Sequence, residues 1–371
     1  MFVKSSSPPK LLIHATNVTG LGASQVATAL LDRLCDHLDL RTRILVPETG
    51  PLSAFRSPND QVSVAQFRRQ LPNAISRAIE CAASSLYFPA TDQTLVLGDI
   101  PLRYRRNQVV FVQQPHLISP SVNKAVSSSP TFGMARVLFE RHLPFVRKII
   151  VQTEVMKDEL ERSYPAVLDR IDVISHPAAQ TAALAQPRSR RRASNPLSLF
   201  YPAAGYLHKN HAILDKMNAS RSVMPDVPAE ISVTLAPGEA ALVHGVRWVN
   251  NAGRLASRDC IRKYAEVDAL FYPSLLESYG LPLLEAMTLG LPIVCADLPY
   301  ARWLCGSEAI YFDATSGTDA WRAIGELNNR LSAGWQPDWR VALRNIPATW
   351  DDVAERFLSV ILQNRATTSN R

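Results

Sequence analysis

Asp268-Ala269-Leu270-Phe271-Tyr272-Pro273-Ser274, then Glu277-Ser278-Tyr279-Gly280-Leu281-Pro282-Leu283-Leu284-Glu285-Ala286-Met287, then Gly290-Leu291-Pro292-Ile293-Val294-Cys295-Ala296 follow one another almost without a gap. The first stretch reads as a buried strand ending at a turn, the second as a loop running into an apolar helix, the third as another short strand. Strand, loop, helix, strand is the layout in which α/β proteins bind ligands at the carboxyl ends of parallel strands. Glu277 then falls in the loop. Pro282 falls at or near the first helical position, where its missing N–H costs nothing. Glu285 falls in the first turn. The open N–H groups and positive dipole end of such a helix suit a phosphate or an oxygen-rich group. A carboxylate beside it can accept two hydrogen bonds from a vicinal diol. By spacing alone, the two acids are equally well a helix cap and a favourable first-turn acid.

Working outward, the same alternation fills the chain. Strand patterns fall at residues 11–16, 42–46, 94–97, 109–113, 148–152 and 170–175. Helical patterns fall at 23–38 (with Ser24 as its cap), 72–86, 132–146 and 154–163. Residues 178–196 change character: they are rich in Ala, Gln, Ser and Pro and carry Arg188, Arg190, Arg191 and Arg192, as a linker does. A second alternation begins with a strand at 197–201 and a helix from about His211. It continues with strands at 231–235 and 245–249 and a helix at 257–266, then the quoted segment and a strand at 310–312. An amphipathic helix opened by Asp351 and Asp352 closes the pattern. The expected fold class is α/β, with two doubly wound Rossmann-like halves. Residues 1–178 form the first, 179–196 the linker, 197–349 the second, and 350–371 the closing helix.

At 371 residues the chain has room for two domains, and 47% hydrophobic residues support packed cores. Lys and Arg exceed Asp and Glu by 40 to 33, a net +7 that suits anionic partners. Nucleic acid is not among those expected, because the basic residues form no recognised module and lack interleaved aromatics. The five cysteines are widely spaced with no Cys-x-x-Cys pair, which excludes a disulfide framework and a zinc site as readings. Reduced thiols in a cytoplasmic protein are expected instead. The apolar run after Lys10 is too short for a secretory signal, and no stretch approaches the ~18 apolar residues of a membrane span.

Residues 273–287 resemble the Glu-x7-Glu signature of retaining glycosyltransferases of family 4, the group 1 glycosyltransferases. That pattern runs Pro-Ser, two or three residues, Glu, a small residue, an aromatic, Gly-Leu-Pro, two residues, Glu-Ala-Met. The resemblance is strong over residues 197–312 and loose before them. It implies the GT-B architecture, with an interdomain cleft and a C-terminal helix returning to the first domain. It also implies transfer of a hexose, with retention, from a UDP- or GDP-linked sugar to a glycan or lipid-linked acceptor in cell-surface polysaccharide synthesis. Neither a cofactor nor a metal is implied, and no Asp-x-Asp stands out.

Carried over by residue, Lys209, followed by Asn210, would meet the donor diphosphate. Ala204 stands where many members carry an Arg, with His208, Arg247 or Arg254 as the cations that could compensate. Glu285 would accept the ribose hydroxyls and Glu277 would lie beside the donor sugar. The backbone of Ser278, Tyr279, Gly280 and Leu281 would contact the sugar or diphosphate. Arg254 and Leu255 resemble the loop that lines the base. In the first half, Gly20 and Gly22 would let phosphate approach the first helix, and His116 would face the donor sugar, with Asp99 a lesser candidate. Glu277, His116 and Lys209 form the implied catalytic set. Two basic clusters complete the list: Arg103, Arg105 and Arg106, then Arg136, Arg141, Arg147 and Lys148 among Val137, Leu138, Phe139, Leu143 and Phe145. They read either as a surface for anionic lipid, giving peripheral attachment at the inner face of the cytoplasmic membrane, or as a solvated helix face. Two other functions share the pattern. One is a GT-B sugar-nucleotide epimerase. The other is a nucleotide-sugar-binding scaffold made inactive by the change at Ala204.

Overall fold

The computed structural model describes residues 10–69, 73–105, 107–122, 129–178, 196–223 and 228–363. The linker of the sequence reading, with its four arginines, lies outside them except for Pro196, as does Arg106. The chain divides into two compact units. One comprises residues Met1–Ala179 and Pro347–Arg371, the other Gln180–Ile346.

The first unit is built on a seven-stranded sheet: β1 (Leu11–His14), β2 (Thr42–Pro47), β3 (Val62–Phe67), β4 (Gln93–Val96), β5 (Gln108–Phe111), β6 (Val146–Val151) and β7 (Ile171–Val173). The spatial order is β3-β2-β1-β4-β5-β6-β7, with every neighbouring pair parallel. β1, β4 and β5 are buried at every residue, as central strands covered on both faces must be. β3 is a strand the sequence pattern does not single out. It sits at the sheet edge with only Val62 fully buried, so its hydrophobic signal is faint.

Helix α1 (Leu21–His37) packs its buried Val26, Leu30, Leu31 and Leu34 inward. It begins earlier than the sequence pattern indicates. Gly20 is the capping residue, and Ser24 is buried inside the helix rather than capping it. Gly22 is thereby in the first turn, not in a loop. The last helix (Trp350–Leu362) belongs to this unit and lies along α1. Phe357 meets Phe111 of β5 edge to face at 5.1 Å, and Trp350 stacks on His176 at 4.8 Å. The Arg147 guanidinium donates to the carbonyls of Val360 (2.7 Å) and Ile361 (3.0 Å), groups that the end of a helix leaves without partners.

At the carboxyl end of β1, His14 and Thr16 converge on Glu80, which also receives Arg69 at 2.9 Å. Burial alone would raise the Glu80 carboxyl, but its bonds from His14 and Thr16 and the charge of Arg69 hold it at about 2.

The second unit has six parallel strands: β8 (Leu197–Tyr201), β9 (Ala229–Val233), β10 (Val249–Asn251), β11 (Ala269–Tyr272), β12 (Ile293–Ala296) and β13 (Ile310–Phe312). They are ordered β10-β9-β8-β11-β12-β13. The strand expected at 245–249 starts only at Val249, because Gly245 has φ +85° and turns the chain. Order reverses between β8 and β11, the switch point at which the loops after two neighbouring strands splay apart and leave a crevice. Both segments singled out by the sequence leave the sheet there.

A sixteen-residue helix (Gly317–Ser332), opened by Ser316 accepting from the Asp319 amide, covers one face with buried Trp321, Ile324 and Leu327. Its first residue touches helix Ala212–Ser220 so closely that a Cβ on Gly317 would lie 2.4 Å from the Lys216 carbonyl carbon.

Candidate active site

Helix Leu281–Thr288 follows β11, with Pro282 at its start and Gly280 as capping residue at φ +90°. This left-handed turn after the loop needs a glycine, since other residues rarely adopt it. Glu285 is the fifth helical residue, in the second turn rather than the first as the sequence spacing suggests. Glu277 lies in the loop, as that spacing indicates.

The loop after β8 and the loop after β11 are tied together by main-chain bonds. Leu275 N–H donates to His208 O at 2.7 Å, and the Ser274 hydroxyl donates to the same carbonyl at 3.2 Å. Asn210, left-handed at φ 60°, sends its amide to Pro273 O (3.1 Å) and Ala314 O (2.9 Å). Its side chain is thus engaged in holding three loops, and the donor contact assigned to it by resemblance would fall to its main chain.

This stitching brings Lys209 and Glu277 together. Lys209 Nζ lies 2.5 Å from Glu277 Oε1, with both side chains largely buried, at 18% and 12% exposure. The Tyr272 hydroxyl donates to the same oxygen at 2.5 Å. Burial pushes the Glu277 carboxyl up, but the Lys209 charge and the donors Lys209, Ser274 and Tyr272 outweigh it and hold the group below its ordinary value. A carboxylate so heavily hydrogen-bonded is a stable anion and a weak nucleophile. It suits acceptance of hydroxyl protons better than covalent attack. His211, next to Asn210, is buried against Tyr201 with ring centroids 4.8 Å apart. Burial pushes it down to about 4, so it adds no charge beside Lys209 near neutral pH.

Glu285 is in a different setting. Oε2 accepts from the Tyr264 hydroxyl at 2.9 Å, and burial pushes the carboxyl up to about 7. No cation pairs with it among the described residues. The two glutamates are thus kept apart in proton affinity by what surrounds each: a lysine for one, a phenol for the other.

The remaining expectations divide. Tyr279 is 2% exposed, so it offers a ligand only its main chain. Ser278, Gly280 and Leu281 lead directly into the helix start. Arg254 is exposed and lies 3.6 Å from Glu239, whose side chain packs against Gly205, the residue after Ala204. Leu255 is half-buried beside it.

Gly20, Gly22 and His116 belong to the first unit. His116 is no open loop residue: it is buried, with its ring stacked on Phe132 at 4.0 Å and its carbonyl taking Arg136. Asp99, at φ 68°, accepts the Gln113 and Gln114 amides at 2.6 and 3.0 Å and bridges the ends of β4 and β5. Burial pushes it up to about 6.

The basic clusters are also partly consumed inside the unit. Arg105 is buried and donates to the carbonyls of Phe88 (2.6 Å) and Pro89 (2.9 Å), and Lys148 pairs with Asp172 at 3.2 Å. With Arg136 and Arg147 engaged as described, they cannot form the continuous basic face the sequence suggests. The sequence reading missed Tyr264 and Tyr272 as site residues, since an aromatic at a core-facing position looks like packing alone.

Residues 244–312 match the family model of the glycosyl transferases group 1. Escherichia coli O-antigen chain mannosyltransferase B aligns over 66 residues at 33% identity, 18% of this chain and 17% of that protein. The E. coli serotype-specific mannosyltransferase WbdA aligns over 112 residues at 28% identity, 27% of this chain and 13% of its own length. The match thus spans less than a fifth of either relative.

Sucrose-phosphate synthase from Thermosynechococcus elongatus superposes with a TM-score of 0.69 at 13% identity, over 96% of this chain and 99% of that one. Anabaena HepE, solved with UDP and glucose, superposes with a TM-score of 0.58 at 15% identity over 98% and 100%. At these identities the likeness establishes the GT-B fold. Residues 244–312, which match the group 1 glycosyltransferase model and contain both glutamates, are carried on that fold.

Proposed function

We propose that the protein is a retaining glycosyltransferase of family 4, moving a hexose from a UDP- or GDP-linked sugar to a hydroxyl of a glycan or lipid-linked glycan. The observation that carries this reading is the meeting of Lys209 and Tyr272 on Glu277 at the ends of β8 and β11, within hydrogen-bond distance.

The donor already has a good leaving group, so catalysis is a matter of positioning and charge. Lys209 offers its two further N–H donors to the departing diphosphate, and the start of helix Leu281–Thr288 adds its positive dipole end. Glu277, held ionised, accepts sugar hydroxyls and stands near the ring carbon as it gains positive character. Glu285 accepts the ribose hydroxyls through Oε1. The diphosphate is answered by protein groups, so we expect turnover without a divalent metal. One relative is by name an O-antigen chain mannosyltransferase, which supports a polysaccharide acceptor.

Incubation with UDP- and GDP-hexoses and glycan acceptors, read by mass spectrometry and by NMR of the anomeric proton, tests the reading. Transfer with retained configuration is expected, reduced by roughly 100-fold or more in Glu277→Gln or Lys209→Ala. Inverted product would refute it. Ala204, standing where many members of the family carry an Arg, keeps one other reading in play, a protein that binds nucleotide sugars without turnover. Donor binding with no transfer to any acceptor would favour that.

A further inference from the structure

We propose that Tyr264 is a positioning residue for nucleotide recognition: by donating its hydroxyl to Oε2 of Glu285, it holds the carboxylate in place and leaves Oε1 for the hydroxyls of the ligand. This rests on the reading of Glu285 as the ribose acceptor.

The geometry is specific. Tyr264 sits on helix Ser257–Glu266, which precedes β11, while Glu285 sits on the helix that follows it. The phenol ring is 1% exposed and is fixed edge-on against Phe200 of β8 at 5.3 Å, so the hydroxyl has little freedom to point elsewhere. Its bond to Oε2 is 2.9 Å long. Oε1 has no hydrogen-bond partner among the described residues, yet it is not among the side-chain atoms sealed from solvent. One oxygen is held and the other is offered.

The surroundings explain why a phenol matters here. The other titratable group facing Glu285 is Cys260, one turn before Tyr264 on the same helix face. Burial first, and then the Glu285 charge, push that thiol up to about 11, so it stays neutral. Glu285 itself sits near 7 because burial is opposed only by the Tyr264 bond. Among the described residues, Tyr264 therefore supplies the only protein donor to the charged form. Tyr272 does not substitute for it, since it is committed to Glu277. Without the Tyr264 hydroxyl the carboxylate would take its proton more readily, and the ionised acceptor would be populated only at higher pH.

The test is binding of UDP-glucose and GDP-mannose, whose diphosphate charge is fixed across the range, by calorimetry from about pH 5.5 to 9. In the unaltered protein affinity should rise with pH through about 7. In Tyr264→Phe, which removes only the hydroxyl, the inflection should move up by about one unit. Affinity at pH 7 should then fall roughly five-fold and return to within about two-fold of normal at pH 9. Glu285→Gln should bind weakly with no inflection.

If Glu285→Gln loses affinity while Tyr264→Phe keeps the normal affinity and profile, the role of Tyr264 is refuted and the ribose reading stands. If Tyr264→Phe is weak at every pH, its role is packing and the inference fails. If Glu285→Gln binds normally, or neither nucleotide sugar binds the unaltered protein, the reading beneath it fails too.

Discussion

Replacing Lys209 by Met strands Glu277 as a largely buried carboxylate without its cation, and the size of the effect can be bounded. At 2.5 Å and an effective dielectric near 20, the pair attraction is roughly 6 kcal/mol before desolvation is subtracted. Removing one partner of such a pair usually costs about 3–5 kcal/mol. Here there is an upper limit, because Glu277 can escape by taking a proton. From its ordinary value of 4.5, protonation at pH 7 costs about 3.4 kcal/mol, and at pH 5.5 about 1.4 kcal/mol.

The sign is definite. In the unaltered protein the folded pKa lies below 4.5, so the pair's stabilisation is present above 4.5 and is lost as pH falls through the depressed value. In Lys209→Met burial is no longer outweighed by the lysine charge, and the folded pKa rises above 4.5. The penalty is then full near neutrality and fades toward acid. Lys209→Met should therefore lose about 3 kcal/mol at pH 7 and about 1.4 kcal/mol or less at pH 5.5. Urea unfolding followed by tryptophan fluorescence is the assay, because Trp248, Trp303, Trp321, Trp335 and Trp339 all lie in the second unit. Adding Glu277→Gln should remove the pH-dependent part. A penalty that stays constant or grows on acidification would refute the assignment of the pair as mutually compensating.

Three further outcomes follow from other sites. Gly317→Ala should destabilise the second unit by about 3 kcal/mol, read by thermal melting. The new methyl would meet the main chain of Lys216 and Met217 at 2.4–2.5 Å, which cannot rotate aside. Chelation should leave transfer unchanged. Activity lost with EDTA and restored by Mn²⁺ or Mg²⁺ would overturn the metal-free mechanism. Attachment to an anionic membrane, which we also propose, would use exposed Tyr104, Met134 and Val137 with exposed Arg103 and Arg141. Vesicles containing phosphatidylglycerol should retain the protein, and Met134→Asp with Val137→Asp should release it. Equal, negligible binding to anionic and neutral vesicles would remove the idea.

The sequence disclosed the fold where apolar runs are short and closed by turns. β8, β12, β13 and the helices Glu154–Ser163 and Ser257–Glu266 have the boundaries their patterns indicate, and the closing helix begins at Trp350 as expected. It concealed β3, whose alternation is half-exposed, and helix Gly317–Ser332, which opens at a glycine and mixes polar with apolar residues. The site was legible as a string of types: Lys209, Glu277 and Glu285 stand out by motif. What the string could not show is which partner each acid takes. Tyr264 and Glu285 are 21 positions apart, and Lys209 and Glu277 are 68 apart. The second pairing exists because β8 and β11 release their loops on the same edge, and the first because the helices before and after β11 meet. Two clustered arginines were hidden for the converse reason. Arg105 and Arg147 look like surface charge, but each is spent on carbonyls that no regular element satisfies.

The closing helix gives the chain a constraint in time. Residues 350–362 complete the first unit, yet they are made after the entire second unit. During synthesis, α1 and Phe111 must wait uncovered while the second unit emerges and folds, and Arg147 has no carbonyls to bind until the end. The unit that begins first is finished last. A chain ended after residue 346 should therefore hold a folded second unit and a first unit still sensitive to protease, and the full-length chain should protect both.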